Sequence, residues 1–205
     1  LAYRVFDELG IKNVEVLEET GKNLVLRKIA SDNAARLGVM KANMNRIGYV
    51  SEVKSLLSEF VQYNISPAEL KRHIESGRLS ENLRAKLSDV LIMYEEFNRF
   101  MEERYITAEE ILNVLSDVAE KSEILKDAVI CFDEFTGFTP IQNELMKKLL
   151  VVSKKIYVTL TIDSDEDMFH TKGMHELFYM PKKTIQSLLK MADMLHVDVE
   201  DAVIL

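Results

Sequence analysis

The stretch Ala128-Val-Ile-Cys-Phe-Asp-Glu-Phe-Thr-Gly-Phe-Thr-Pro-Ile-Gln142 is the most informative part of this sequence. Its first five residues form an apolar run, which predicts a short strand buried on both faces. The run ends in two carboxylates, Asp133 and Glu134, and a turn at Thr136-Gly137 follows. Apolar residues then recur at helical spacing, which predicts an amphipathic helix that begins near Pro140.

The acidic pair has two interpretations. Ligands of open α/β sheets gather at the carboxyl ends of the strands. Nucleotide-hydrolysing motors place two acids there, one to hold Mg²⁺ through water and one to polarise the attacking water. The alternative is that Asp133 only caps the helix that follows. Two acids followed by a Phe, a Gly-containing turn and a Gln are an uncommon combination, which favours the functional interpretation of Asp133 and Glu134.

A second β-rich segment, Lys155 to Ile162, follows the predicted helix. The order strand, helix, strand predicts parallel pairing with a right-handed crossover. Two parallel strands do not make a stable sheet by themselves, so we expect further strands from sequence upstream of Leu1. The chain also begins within a helical pattern and without an initiator Met, so we expect a fragment of a longer polypeptide.

The middle of the chain is predicted to be helical. Capping boxes at Ser66-Pro67-Ala68-Glu69 and Thr107-Ala108-Glu109-Glu110 mark two helix starts. A block of roughly a hundred residues therefore separates a first segment from the βαβ unit. Apolar spacing predicts helices over residues 1–10, 22–30, 49–61, 66–77 and 80–101, and a last helix from about residue 181.

Composition narrows the function classes. The chain has 205 residues, 47% hydrophobic and 29% charged, which is enough for a substantial core. It has no signal peptide and no apolar run that spans a bilayer, so we expect a soluble protein without a membrane partner. Its one cysteine, Cys131, cannot complete a thiolate metal site or an iron–sulfur cluster, and it suits a reducing cytoplasm. The net charge of −8 argues against strong autonomous nucleic-acid binding but leaves a local DNA contact within a larger assembly open.

Asp133-Glu-Phe-Thr-Gly-Phe-Thr-Pro-Ile-Gln142 resembles the second helicase motif of superfamily 1 motors, whose usual form is Asp-Glu-Phe-Gln-Asp-Thr-Asn-x-x-Gln. The Gly-Phe-Thr-Pro variant is similar to the B subunits of the bacterial ATP-dependent helicase/deoxyribonuclease, the AddAB complex. Further stretches agree with this family in order along the chain: Leu1-Ala-Tyr-Arg-Val-Phe-Asp-Glu-Leu-Gly10, Gly48-Tyr-Val-Ser-Glu-Val53, Glu59-Phe-Val-Gln-Tyr-Asn-Ile-Ser-Pro67 and Leu83-Arg-Ala-Lys-Leu-Ser-Asp-Val-Leu-Ile-Met-Tyr94.

The resemblance implies an α/β fold: part of a P-loop-NTPase, superfamily 1 helicase-like parallel sheet with a large all-helical inserted subdomain. It assigns residues 1–30 to a helical segment of the motor-like domain, 31–126 to the insertion, and 127–205 to the βαβ part. The parent protein is expected to be a bacterial cytoplasmic hydrolase. It forms a heterodimer with an A subunit, acts on single- and double-stranded DNA, and resects double-strand breaks for homologous recombination.

The resemblance also implies ATP, Mg²⁺ and an iron–sulfur cluster for the parent. Its phosphate loop and nuclease are expected to lie outside these residues, so we predict that this chain alone is inactive and holds no cofactor. In active motors the strand after the second motif leads into a Gly-Asp-x-x-Gln loop. Here Asp163-Ser-Asp-Glu-Asp-Met168 takes that place without the Gly or the Gln. This departure fits a helicase half that scans DNA without driving it.

The residues after the acidic pair are candidates for a DNA contact. Phe135, Phe138 and Thr139 surround the Thr136-Gly137 turn, and exposed rings there would stack on bases. We expect Phe135 to pack beneath the turn and Phe138 to be the better candidate. We predict no metal site, since His170 and His175 lack a zinc pattern and are expected at the surface. Lysines near the βαβ unit either touch phosphates or solvate helix faces: Lys147, Lys148, Lys154, Lys155, Lys182 and Lys183.

Overall fold

The computed structural model describes residues 1–11, 15–44, 46–102, 105–163 and 165–203. The described helices are α1 (Ala2–Glu8), α2 (Glu19–Asp32), α3 (Ile47–Gln62), α4 (Pro67–Glu75), α5 (Glu81–Glu102), α6 (Glu110–Val118), α7 (Glu123–Lys126), α8 (Pro140–Val152) and α9 (Tyr179–Leu195). The strands are β1 (Val129–Phe132) and β2 (Lys155–Val158), and short 3-10 turns cover Lys41–Asn43 and Ala119–Lys121. The chain divides into two compact units, Lys12–Ile111 and Leu1–Ile11 with Leu112–Leu205.

The unit Lys12–Ile111 is a bundle in which α2 packs on α3 and α5, and α4 packs on α5. Two buried polar groups fix its loops. The Tyr94 hydroxyl donates to the Ile65 carbonyl oxygen at 3.0 Å. The Asp89 carboxylate accepts from the Gly38 and Met40 N–H groups at 3.0 and 2.8 Å. The core contains Leu26, Ile29, Val50, Val53, Leu57, Phe60, Leu70, Ile74, Val90, Met93 and Phe97.

Both predicted capping boxes are confirmed. Ser66 accepts from the Glu69 N–H at 3.2 Å, and the Glu69 carboxylate accepts from the Ser66 N–H at 2.9 Å. Thr107 and Glu110 make the same exchange before α6, at 3.1 and 2.6 Å. Each box satisfies two backbone donors that a helix start otherwise leaves without a partner. These signals are local, which is why the sequence alone locates the helix starts.

The second unit contains the sheet. β1 and β2 pair in parallel, with Val129 opposite Lys155 and Phe132 opposite Val158. α8 connects them and packs against β2 and α9. The α8 side chains that face this core are Ile141, Leu145, Met146 and Leu149. The predicted parallel pairing of two strands joined by a helix is confirmed. Helices make up most of the described chain, and the small sheet is compatible with the predicted α/β class.

The prediction that the first strand is buried on both faces is wrong. Exposure alternates along β1, so that Ile130 and Phe132 are half-buried while Val129 is 58% exposed. Cys131 is exposed as well and not enclosed in a core. A short apolar run fits either arrangement, because its length does not reveal how many faces other elements cover. β2 is also shorter than predicted and ends at Val158.

No described helix combines the length and the apolar character that crossing a bilayer requires.

Candidate functional site

The candidate site lies where the chain leaves the two strands at their carboxyl ends. The Thr159 N–H extends the ladder by donating to the Phe132 carbonyl oxygen at 2.9 Å. This register brings the Thr159 side chain to the acidic pair. Its hydroxyl donates to the Asp133 carboxylate and accepts from the Glu134 N–H at 3.3 Å. One hydroxyl thus joins the loop after β1 to the loop after β2, using both its donor and its acceptor capacity.

Glu134 adopts a backbone conformation that is uncommon for a residue with a side chain. Its φ of 59° lies in the left-handed region, which costs an L-residue about 1–2 kcal/mol. The hydrogen bond from its N–H to Thr159 helps to hold it there. The side chains of Asp133 and Glu134 are both exposed. Strained residues of this kind cluster at ligand sites, so the observed φ supports a functional hypothesis for this turn.

Three phenylalanines form a compact aromatic cluster beside the acidic pair. Phe135 and Phe138 stack with their ring centroids 5.2 Å apart and their planes 19° apart. Phe132 meets both rings edge-on, with centroid distances of 5.6 Å. Phe135 is 36% exposed, whereas Phe138 is half-buried. Phe135 is thus not fully buried beneath the turn as expected, although its ring packs against both other rings.

Thr139, predicted from the sequence only as a candidate DNA contact, is the N-cap of α8. The alternative that Asp133 caps this helix is wrong, because its carboxylate accepts from Thr159 instead. The Thr139 hydroxyl accepts from the Gln142 N–H at 3.4 Å, and the Thr139 N–H donates to the Gln142 Oε1 at 2.8 Å. With Pro140 at the first helical position, this is a complete capping box for α8. A DNA contact by Thr139 is untested, and the engagement of its hydroxyl and its N–H in this cap argues against one.

Most of the lysines near the sheet are engaged with carboxylates. Lys147 pairs with Glu144 and Lys148 with Glu120, both at 2.7 Å, and Lys155 pairs with Glu200 at 2.6 Å. Lys182 is 2% exposed and pairs with Glu166 and Glu176. The hydrogen bond to Glu166 raises the Lys182 pKa, so the ammonium stays charged. These pairs reduce the positive potential available to a phosphate backbone.

The acidic loop, residues 163–178, follows β2, and the structure describes all of it except Ser164. In the described part, no three acidic or histidine side chains lie close enough together to hold one metal ion. The Asp167 carboxylate accepts from the Phe169 N–H at 2.8 Å and contacts His170 Nδ1 at 2.7 Å. The Phe169 hydrogen bond is the main cause of the lowered Asp167 pKa. His170 and His175 are exposed, as predicted.

Sequence reasoning missed Thr159 and Thr184. Thr159 follows the last paired residue of β2, so the register alone would have placed it at the acidic pair. Thr184 lies in α9, 6% exposed, and donates to the Thr136 carbonyl oxygen at 3.0 Å. No pattern around Thr184 in the sequence signals this contact, because it depends on how α9 packs.

The fold and the site define a mixed chain, with a helical unit and a βαβ unit whose first strand ends in two acids and an aromatic turn. The family model described as "ADDB, N-terminal" matches residues 1–205, and the chain belongs to this family. The resemblance stated from the motifs is thereby confirmed.

Relatives in three bacteria are each named as the B subunit of an ATP-dependent helicase/deoxyribonuclease. The chain is 36% identical to the protein of Lachnoclostridium phytofermentans over 192 residues, which is 94% of this chain and 17% of that protein. The protein of Thermoanaerobacter sp. is 34% identical over 190 residues, which is 93% of this chain and 16% of that protein. The protein of Clostridium kluyveri is 31% identical over 193 residues, which is 94% of this chain and 17% of that protein. The chain thus spans about 17% of the length of such relatives.

Proposed function

We propose that this chain is part of the B subunit of an ATP-dependent helicase/exonuclease that resects double-strand breaks. In this proposal it is a motor-like scaffold that contacts single-stranded DNA through the turn after β1. The partner is an A subunit, and ATP, Mg²⁺ and an iron–sulfur cluster are held by other parts of the assembly. The family and the relatives' names support the class of protein, and the turn supports the contact.

The observation that carries the DNA contact is the stacked pair Phe135 and Phe138. A base is a flat π-system, so it gains most from a ring that is already held at a fixed angle and partly exposed. Phe132 supports the stack from its edge, and Phe135 is the more exposed of the two stacked residues. Stacking does not depend on base identity or on a strong phosphate contact. Binding by base stacking is therefore compatible with a chain whose net charge is −8.

The division of the chain supports the proposed domain arrangement. The unit Lys12–Ile111 is contained in sequence between the two parts of the other unit. That order is the one expected for an insertion into a host domain. We propose that residues 127–205 belong to a motor-like domain and that residues 31–126 are its inserted subdomain. The compact helical unit supports the order of these parts but has other bounds, since it begins at Lys12 and ends at Ile111.

Asp133 and Glu134 do not make a nucleotide site by themselves. One carboxylate accepts from Thr159, and no third potential metal ligand joins the pair among the described residues. Mg²⁺ usually binds through one or two carboxylates together with substrate phosphates, which other groups must hold. We propose that the isolated chain neither binds nor hydrolyses ATP. ATP turnover that Asp133→Ala abolishes would contradict this proposal.

The DNA contact is tested by fluorescence anisotropy with a labelled oligothymidylate. Phe135→Ala is expected to weaken binding roughly 5- to 150-fold, the equivalent of about 1–3 kcal/mol for one stacked base. The matched control is Tyr63→Ala, which removes an aromatic ring that is 57% exposed in the helical unit. It should leave the affinity unchanged. Circular dichroism of both variants verifies that they fold.

The alternative function is that of a non-enzymatic helical adaptor. The observation that favours it is that the polar groups of Asp133 and Thr139 already serve the fold, through Thr159 and through the α8 cap. If folded Phe135→Ala and Phe138→Ala both bind oligothymidylate as tightly as the unmodified chain, the adaptor replaces the DNA contact.

A further inference from the structure

We propose that the first two turns of α9 couple the loop after β1 to the loop after β2, and that Thr184 and Lys182 are positioning residues for the candidate site. The coupling between the two loops does not depend on any ligand. The inference that it positions the rings that bind single-stranded DNA rests on the proposed function. Below, residues 133–139 are called the aromatic loop and residues 163–178 the acidic loop.

One side of α9 holds the aromatic loop. The Thr184 hydroxyl is 3.0 Å from the Thr136 carbonyl oxygen and 3.0 Å from the Met180 carbonyl oxygen, so its single hydrogen serves both. Gly137 lies so close to the helix that a Cβ there would be 3.3 Å from the Met180 Cε and 3.5 Å from the Thr184 Oγ1. The turn between the two stacked rings therefore rests directly on α9.

The other side of α9 holds the acidic loop. Buried Lys182 pairs with Glu166 and, at 3.5 Å, with Glu176. Gln186 donates from Nε2 to the Phe169 carbonyl oxygen at 2.9 Å. Glu176 is fixed in turn, because it accepts from the Thr171 hydroxyl at 2.8 Å. The helix thus fastens the acidic loop at three points.

The spacing of these residues explains why one helix serves both loops. Residues four apart share a face of an α-helix, and residues two apart lie about 200° apart around its axis. Met180 and Thr184 therefore form one face, and Lys182 and Gln186 form nearly the opposite one. Thr184 is 6% exposed and Lys182 is 2% exposed. Both side chains are therefore buried, although they lie on nearly opposite sides of the same helical turn. A shift of α9 toward either loop must change the contacts of the other.

The charges explain why Lys182 is suited to this position. A buried ammonium is stable only when it is paired, so loss of both Glu166 and Glu176 from its side would leave an uncompensated charge. The acidic loop has to remain in place for as long as α9 is docked. Conversely, a ligand that displaces the Phe135–Phe138 stack also moves the Thr136 carbonyl oxygen, which accepts the hydrogen bond from Thr184 of α9.

Hydrogen exchange of the 205-residue chain tests the coupling without any ligand. Lys182→Met removes the ion pairs on one face of α9. It is expected to raise exchange in the acidic loop and also in the aromatic loop, at the Glu134 and Thr139 amides, which are hydrogen-bonded in the native chain. The matched control is Lys126→Met, which breaks the exposed pair with Glu123 and should leave both loops unchanged. Exchange that rises in the acidic loop alone would overturn the coupling.

A reciprocal pair of variants guards against unfolding by Lys182→Met. Thr184→Val keeps the shape but loses the hydroxyl, and Thr184→Ser keeps the hydroxyl. Thr184→Val is expected to raise exchange in both loops by roughly fivefold, the effect of one lost neutral hydrogen bond, and Thr184→Ser is expected to restore it. An equal increase in both Thr184 variants would show simple loss of packing and would overturn the positioning role.

The coupling and the proposed function fail in different ways. Phe135→Ala could leave oligothymidylate binding unchanged while Lys182→Met raises hydrogen exchange in both loops. The DNA contact would then be wrong and the coupling would stand. If Phe135→Ala weakens binding while exchange stays confined to one loop, the coupling is wrong and the DNA contact stands.

Discussion

Glu8 is a single residue that joins two distant parts of the sequence. Its carboxylate accepts from the buried Ser122 hydroxyl and from the Glu123 and Ile124 N–H groups at 2.9 and 3.1 Å. The Ser122 hydrogen bond is the main cause of its lowered pKa. Because the folded pKa lies below the unfolded value of about 4.3, ionised Glu8 stabilises the fold above that pH. This stability is lost as pH falls through the folded pKa.

We therefore expect Glu8→Gln to unfold at a lower urea concentration than the unmodified chain at pH 7. The difference in stability between the two chains should narrow once pH falls below the unfolded value of about 4.3. It should vanish below the lowered folded pKa, where Glu8 of the folded chain is neutral too. Urea titrations at several pH values measure this. The control is Glu52→Gln, at an exposed residue of α3, and a gap for Glu8→Gln that stays constant with pH would show the pKa assignment to be wrong.

At the residue scale, the sequence identifies the acidic pair and the aromatic turn but not their support. Asp133, Glu134, Phe135 and Phe138 follow one strand directly, so a local pattern is enough to find them. Thr159 reaches them through strand pairing, 26 positions along the chain from Asp133. The exposure of Phe135 relative to Phe138 likewise depends on how their rings stack. The spacing of residues in the sequence does not predict such stacking.

At the element scale, helix starts were predictable and sheet burial was not. The two predicted boxes, at Ser66 and Thr107, each exchange hydrogen bonds with a residue three positions later. All of the information lies within four residues of sequence. The exposure of Val129 and Cys131 instead depends on which elements cover the sheet. The number of sheet faces that other elements cover cannot be predicted from a short apolar run alone.

The α8 cap gives a prediction that separates structure from DNA binding. Thr139→Ala removes the side-chain acceptor for the Gln142 N–H and is expected to destabilise the chain by about 0.5–2 kcal/mol. Ser66→Ala, at the start of α4, is the comparison, because it breaks an equivalent box. Oligothymidylate affinity of folded Thr139→Ala should equal that of Ser66→Ala. A selective loss of affinity in Thr139→Ala would establish Thr139 as a DNA contact in addition to a cap.

At the scale of the whole molecule, charge limits the kind of DNA contact that is possible. The net charge is −8, and the lysines near the sheet that pair with carboxylates include Lys147, Lys148, Lys155 and Lys182. Binding that depends on stacking releases few counterions. We expect the logarithm of the affinity for oligothymidylate to fall with the logarithm of the salt concentration with a slope of magnitude no more than about 2. A steeper slope would indicate that phosphate contacts dominate.

We propose that Phe135 and Phe138 form the surface on which a single-stranded base stacks. The chain contains no tryptophan and seven tyrosines, so Phe135→Trp introduces a single tryptophan that can be excited selectively, at the more exposed residue of the stack. Adding oligothymidylate should quench its emission saturably, and the added substitution Phe138→Ala should weaken the response because the second ring no longer holds the first. Emission that stays constant up to millimolar oligonucleotide, in a chain shown to be folded, would contradict the account.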